Sequence, residues 1–328
     1  AILAALPQAP TYYSPYGSNL DDLKGRQEYI LDLMVEQGYI ETETAETAKV
    51  QELDFKQQTN DITAPHFVMY IKEQLAKKYG EKMLEQGGLK IYTTLDLYKQ
   101  ELAEQTVKEK TQEYPDKYNA TNAALVSIDP KTGQILAMVG SRDYFDDDID
   151  GQVNLTTSQR QPGSSLKPLV YSIGYLKGYT PNTILYDVVT NFSDQEGEEK
   201  KYEPHNYDSE EHGPISTRQA LAGSLNIPAV KMLYLVGVKN VTDIAQEMGY
   251  STLNDPDRFG LSLVLGGAEV KMIEHVNAYG AFAREGVLHP ISGVLRIEDA
   301  DGNIIEEFQN QEKRVLNPKV IRQLNNVL

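Results

Sequence analysis

The sequence predicts a mixed α/β (α+β) chain, helical at the front and organised around antiparallel strand pairs further on. Three observations carry this. Apolar residues recur at helical spacing over 23–37 and 66–79. Two strand-like runs, 123–128 and 134–139, are joined by Asp129-Pro130-Lys131-Thr132-Gly133, a hairpin connection with Gly available for positive φ. A second hairpin signal comes from 296–299 and 304–308, which flank Ala300-Asp301-Gly302-Asn303.

The elements follow in order. Pro7, Pro10 and Pro15 among tyrosines make a looped opening. Ile30, Leu33, Met34 and Gln37 fall on one face of a helix over 23–37, and Gly38 suits the C′ position. A second helix is expected over 43–53. Residues 54–122 read as a connector. Phe67, Ile71, Leu75 and Lys78 form one stripe of a helix over 66–79, and Gly87-Gly88 ends the helical stretch. Leu89, Ile91, Thr93 and Leu95 alternate as in a strand, and 97–114 is charged and helical. After the 123–139 strand pair, Asp143 to Asp150 is an acidic, solvated loop. A helix over 164–177 starts behind Pro162-Gly163. Residues 190–214 are polar and punctuated by Gly and Pro, a long loop suited to lining a site. Helices are expected at 217–221 and 230–236. The last residues before Leu328 again read as helical.

Composition narrows the function. A chain of 328 residues holds two or three domains at roughly 100–200 residues each. With 40% hydrophobic and 24% charged residues it has the make-up of a folded protein. Its 31 Lys and Arg against 48 Asp and Glu give a net charge of −17, which argues against nucleic acid as a partner. No apolar run is long enough to span a bilayer. The absence of Cys excludes disulfides, thiolate metal sites and a cysteine nucleophile. There is no GxGxxG, P-loop, HExxH or EF-hand loop. The five histidines (His66, His205, His212, His275, His289) have no partner at i+4. Each reads as a surface or satisfied histidine, and neither a metal nor a cofactor is expected. Asp146-Asp147-Asp148 reads as a hydrated loop. Ala1 to Leu6 is apolar, without a basic leader or Met, and reads like the interior of a longer chain.

Two short motifs point to chemistry. In Ser164-Ser165-Leu166-Lys167, serine and lysine stand three apart at a helix start, on one face. A lysine buried there loses its proton more readily and can take the proton of the serine hydroxyl. In Ser224-Leu225-Asn226 a serine and an amide lie two apart between helices. The hydroxyl is suited to relaying a proton, and the amide to holding both a lysine and a carbonyl. Each motif alone is a weak signal. A chance S-x-x-K is common, and S-x-N is as readily a helix cap.

The surrounding sequence makes them specific. Arg160-Gln161-Pro162-Gly163-Ser164-Ser165-Leu166-Lys167-Pro168 resembles the active-serine box of class A penicillin-binding proteins, the bifunctional peptidoglycan synthases. Tyr202-x-Pro204-x-Asn206-Tyr207-Asp208, Arg218-Gln219-Ala220-Leu221 and the S-x-N box follow in the family's order. Gly266 to Val270 and Asn277 to Ala283 are similar to the helical stretch after S-x-N. Ala4 to Pro10 and Arg26 to Met34 look like the tail of the family's glycosyltransferase domain, and Tyr92-Thr93-Thr94-Leu95-Asp96 like its linker.

The resemblance implies three parts: 1–53 as the glycosyltransferase tail, 54–122 as the interdomain linker and 123–328 as the transpeptidase domain. It implies a penicilloyl-serine transferase (β-lactamase-like) fold, with a five-stranded antiparallel sheet between helical layers. The strands at 123–139 would begin that sheet. It further implies acyl transfer at a D-alanyl-D-alanine stem peptide to an amine acceptor, inhibition by β-lactams, and a place at the extracytoplasmic face of a bacterial membrane. Ser164 is then the nucleophile, Lys167 its base, Ser224 a proton relay and Asn226 a positioning amide. The third family box, Lys-Thr/Ser-Gly, should follow S-x-N. The triplet here, Lys131-Thr132-Gly133, precedes the serine and reads as a turn. The third box and remaining strands are expected after Leu328, accompanying this chain. The glycosyltransferase carboxylates and membrane anchor are expected before Ala1. Two other readings share the boxes: a serine β-lactamase, and a non-catalytic penicillin-sensing or scaffold domain.

Overall fold

The structure, a computed structural model, describes residues 1–9, 12–15, 19–51, 62–118, 120–193 and 202–328. They fall into two units, Ala1–Ile62 and Thr63–Leu328. Pro10, the expected helix end at Leu53, the boundary at 53/54 and residues 194–201 of the long polar loop lie outside the described residues.

In the first unit, helix Leu20–Glu36 buries Leu23, Gln27 and Leu31, one residue every turn along a single stripe. Asp21 and Asp22 sit in its first turn, where negative charge suits the helix dipole. Its end has the expected form. Gly38 N–H donates to Val35 O and Tyr39 N–H to Met34 O, the pair of bonds that closes a Schellman cap. Helix Thr42–Val50 packs back on it through buried Ala45.

The second unit contains the connector residues from Thr63 onward and everything after them. Helix Pro65–Tyr79 buries Phe67, Ile71 and Leu75 against Ile135, Met138 and Ile297. Lys78, expected on the same stripe, instead reaches Glu306 at 2.7 Å. A short helix, Glu81–Gln86, precedes the Gly87-Gly88 break. Strand Lys90–Thr93 pairs antiparallel with Val294–Glu298, some two hundred residues on, and that strand forms the expected hairpin with Ile304–Glu307.

Strands Leu125–Ile128 and Ile135–Val139 pair as expected, Val126 opposite Met138. The intervening Lys131-Thr132-Gly133 is a turn, with the Thr132 and Gly133 N–H groups both donating to Asp129 O. Among the described residues no third strand joins this pair. Instead, buried Gln100 on helix Leu97–Lys110 lies along its edge. Its amide accepts from Met138 N at 2.8 Å and donates to Met138 O at 3.0 Å, which satisfies an edge residue from a helix.

The largest core surrounds helix Lys167–Leu176, whose first nine residues are all buried. Helix Asn226–Val236 packs along it, joined by Val238–Glu247 and Pro318–Asn325. A single helix is expected over 164–177, but its first turn differs. Gly163–Leu166 is a 3₁₀ turn, and the α-helix begins at Lys167. Pro168 explains this. It has no N–H to offer Ser164 O four residues back, and the Lys167 N–H takes that carbonyl instead. Strand Ile184–Asp187 pairs with Gly213–Ser216, so part of the expected loop is a second short ribbon that brackets the remainder.

Candidate active site

Ser164 stands exposed on the 3₁₀ turn, and its hydroxyl has no hydrogen bond among the described residues. Lys167, three residues on, is 1% exposed. The same turn thus presents the hydroxyl to solvent and sends the amine inward. Lys167 Nζ donates to Ser224 O at 2.5 Å, Ser224 Oγ at 3.2 Å and Asn226 Oδ1 at 2.8 Å. All three acceptors are neutral. Burial without a carboxylate partner among the described residues lowers the amine from its ordinary value to about 8. The structure therefore brings Lys167, Ser224 and Asn226 into direct contact. It leaves Ser164 one turn away and unbonded to the amine.

Ser224 reaches Lys167 from a strained backbone. Its φ is +53°, a left-handed conformation uncommon for a side chain other than Gly or Asn. Helix Thr217–Ala222 precedes it, and Ser224 N–H and Leu225 N–H donate back to Leu221 O and Ala220 O. The next helix opens at Asn226. Its first two N–H groups, Asn226 and Ile227, both donate to Asn206 Oδ1 at 2.8 and 3.2 Å. A side chain twenty residues upstream thus caps the helix that carries Asn226. Asn226 Nδ2 donates to His205 O at 2.9 Å, which fixes Oδ1 toward the lysine.

Asn206 is itself held. Its Nδ2 donates to both oxygens of Asp187 at 2.9 Å and to Glu210 O at 2.9 Å. The Asp187 carboxylate, fully buried, also accepts the His212 N–H at 3.0 Å and meets His212 Nδ1 at 2.6 Å. That contact raises the imidazole above its ordinary value. Sequence reasoning singled out Asn206 in a motif without assigning it a role, and it missed Asp187. Only the fold joins residues 187, 206 and 226. Asp208, Glu210 and His212 bring ligand-type atoms within 4.8 Å of one another; all three are exposed, and His212 already faces Asp187.

Gly266 seats the nucleophile turn from the other side. It has φ +83°, and a Cβ there would lie 2.2 Å from Gly163 N and 2.3 Å from Gly163 Cα. Only hydrogen at this position allows the two backbones to meet.

Known proteins resemble this chain in sequence and in fold. The family described as penicillin binding protein transpeptidase domain matches residues 123–328, more than half of the chain. The chain belongs to the penicillin-binding protein transpeptidase family. Penicillin-binding protein 2D of Bacillus subtilis is 35% identical over 326 residues, covering 97% of this chain and 45% of the relative. Relatives of this kind are thus more than twice as long as the chain. The crystal structure of penicillin-binding protein 1A from Haemophilus influenzae superimposes with a TM-score of 0.82 at 19% identity, over 100% of this chain and 66% of that one. PonA1 from Mycobacterium tuberculosis, in a structure with penicillin V, gives 0.67 at 20% identity over 81% and 70%. These likenesses show the penicilloyl-serine transferase fold expected from the sequence. Among the described residues no helix is long and apolar enough to cross a membrane.

Proposed function

We propose that the chain carries out D,D-transpeptidation of peptidoglycan stem peptides through an acyl-serine intermediate. One observation supports this above the others: an amine lowered to about 8 by burial, held by neutral acceptors one turn from an exposed serine. At neutral pH a useful fraction of such an amine is free base. Lys167 takes the Ser164 proton as Oγ attacks the penultimate D-alanine carbonyl, forming a C–O bond. The peptide C–N bond then breaks, and the proton passes from Lys167 through the Ser224 hydroxyl to the departing D-alanine amine. Asn226 holds Lys167 and the donor amide. The Ser164 backbone N–H supplies half of the oxyanion hole. An amine of a second stem peptide then attacks the ester carbonyl, forms the cross-link and returns the proton to Ser164 Oγ. A β-lactam enters the same way, but its ring opens without releasing a leaving group, so the acyl-serine persists.

In this reading 123–328 is the transpeptidase domain, 54–122 an interdomain linker and 1–53 the tail of a glycosyltransferase domain. The site works at the extracytoplasmic face of a bacterial membrane. The test is covalent labelling of the full-length protein with fluorescent penicillin, mapped by mass spectrometry. Label on Ser164 that vanishes in Ser164→Ala is expected. An unlabelled wild type, or label elsewhere, overturns the assignment.

A further inference from the structure

The turn that carries Ser164 is gripped from behind by contacts that the acyl-transfer scheme does not use. Ser165 Oγ donates to Pro162 O at 2.6 Å and meets His275 Nε2 at 2.9 Å. The Ser165 carbonyl accepts the Tyr279 hydroxyl at 2.6 Å. His275 and Tyr279 are four apart on helix Met272–Ala283 and so share a face, with their rings edge to face at 5.1 Å. On its far side His275 Nδ1 lies 2.7 Å from the hydroxyl of Tyr250, which is 3% exposed.

Counting protons orders this chain. The Ser165 hydroxyl has one proton, committed to Pro162 O by the shorter contact. His275 Nε2 must therefore donate to Ser165 Oγ, which leaves Nδ1 of the neutral ring as the acceptor of the Tyr250 O–H. Burial lowers the imidazole to about 4 and raises both phenols, so the ring stays neutral and the tyrosines stay donors at neutral pH. Donation runs one way, from Tyr250 to His275 to Ser165 to Pro162, and ends on the turn that holds Ser164.

We propose that His275 is a positioning residue for the nucleophile. Acting through Ser165, with Tyr250 fixing its tautomer, it holds the 162–167 turn so that Ser164 Oγ and Lys167 Nζ address the same carbonyl. The inference rests on the reading of Ser164 as the nucleophile. A displacement of the reacting atoms by about 1 Å costs roughly a hundredfold in rate.

The test follows acylation of the full-length protein by fluorescent penicillin, separating initial binding from the acylation step. His275→Phe keeps a ring but loses both nitrogens. It should slow acylation by about tenfold to a hundredfold while leaving initial binding within about twofold. His275→Gln restores an N–H donor toward Ser165 and should recover most of that loss, which a merely space-filling histidine would not predict. Wild-type acylation in His275→Phe, a defect confined to initial binding, or no recovery in His275→Gln overturns the inference. Should His275→Phe fail to fold by circular dichroism, Ser165→Ala removes the exposed relay hydroxyl alone and is expected to show the same slowed step; an unchanged rate overturns the inference. A wild type that does not acylate, or a Ser164→Ala variant that does, overturns the nucleophile assignment itself and the inference with it.

Discussion

Lys167 and Asn226, fifty-nine residues apart in the chain, meet through an Nζ–Oδ1 hydrogen bond of 2.8 Å. The bond joins the helix after the nucleophile turn to the helix after the S-x-N loop, so the two motifs form one polar cluster. The cluster contains one cation and no carboxylate among the described residues, and this sets the proton chemistry of the site.

Acylation should therefore follow the protonation of Lys167. Burial lowers its amine to about 8, so the free base is scarce below that pH and predominates above it. The acylation rate with a penicillin is expected to rise from pH 6 to 9 with a midpoint near 8. Lys167→Met keeps the stem and removes the base, and should cost about 10²–10⁴-fold, the usual share of a general base. A flat pH profile in the wild type would count against the role of the amine.

Asn206→Ala should damage the site without touching it. Asn206 Oδ1 caps the helix that opens at Asn226, and its Nδ2 satisfies buried Asp187. Losing the cap costs about 1 kcal/mol, and leaving a buried carboxylate short of a donor costs about 1–3 kcal/mol. Thermal denaturation should show that loss, and acylation should slow because Asn226 no longer has a fixed start to its helix. Normal stability together with normal acylation would show that the Asn206 bonds do not matter.

These residues also show what the sequence made legible. The nearness of Ser164 and Lys167 could be read directly, because a serine and a lysine three apart at a helix start lie about one turn from each other, although S-x-x-K alone is a weak signal. Ser224 and Asn226 could not, since S-x-N has meaning only beside a lysine that the fold delivers. Their assignment rested on the family resemblance of the flanking boxes. Local periodicity found the helix over 65–79 and the presence of the one over 20–36. The face it picked in the latter (Ile30, Leu33, Met34, Gln37) is not the buried one (Leu23, Gln27, Leu31). The charged stretch expected as helix over 97–114 is helical over 97–110, and short turn signals found the hairpins. Periodicity did not find the partner of strand Lys90–Thr93, because nothing local in those residues encodes Val294–Glu298. For the same reason the Asp187–Asn206 contact and the His275–Ser165 contact were invisible. A histidine that reads as surface or satisfied proves to be satisfied on both nitrogens, one of them by the residue next to the nucleophile.

The His212–Asp187 contact makes one part of stability pH-dependent. The hydrogen bond to Asp187 raises the folded-state pKa of His212 above its ordinary 6.5. The folded protein therefore holds that proton more tightly than the unfolded chain does. The resulting stabilisation is fully present below pH 6.5 and is lost as pH rises through the raised value. Thermal midpoints of wild type and His212→Gln should differ most at the acidic end and converge as pH increases. A gap that widens with pH would reverse the sign and exclude the contact as its cause.

Gly266 gives the sharpest steric prediction. A Cβ on it would lie 2.2 Å from Gly163 N, and the neighbouring atoms are backbone, which has no side chain to swing aside. Its φ of +83° adds strain of its own for an alanine. Gly266→Ala must push the 163–166 turn off its seat or distort its own loop. Either way Ser164 moves relative to Lys167, whose amine is anchored separately by Ser224 and Asn226. Acylation should fall by about a hundredfold, the cost of a displacement on the order of 1 Å, with about 1–3 kcal/mol lost from thermal stability. Gly260→Ala is the control. Gly260 lies six residues away with no positive φ, and a methyl group added to it would meet nothing within 4 Å. That variant should acylate at the wild-type rate. Equal behaviour of the two variants would mean that the Gly163–Gly266 approach does not set the position of the nucleophile.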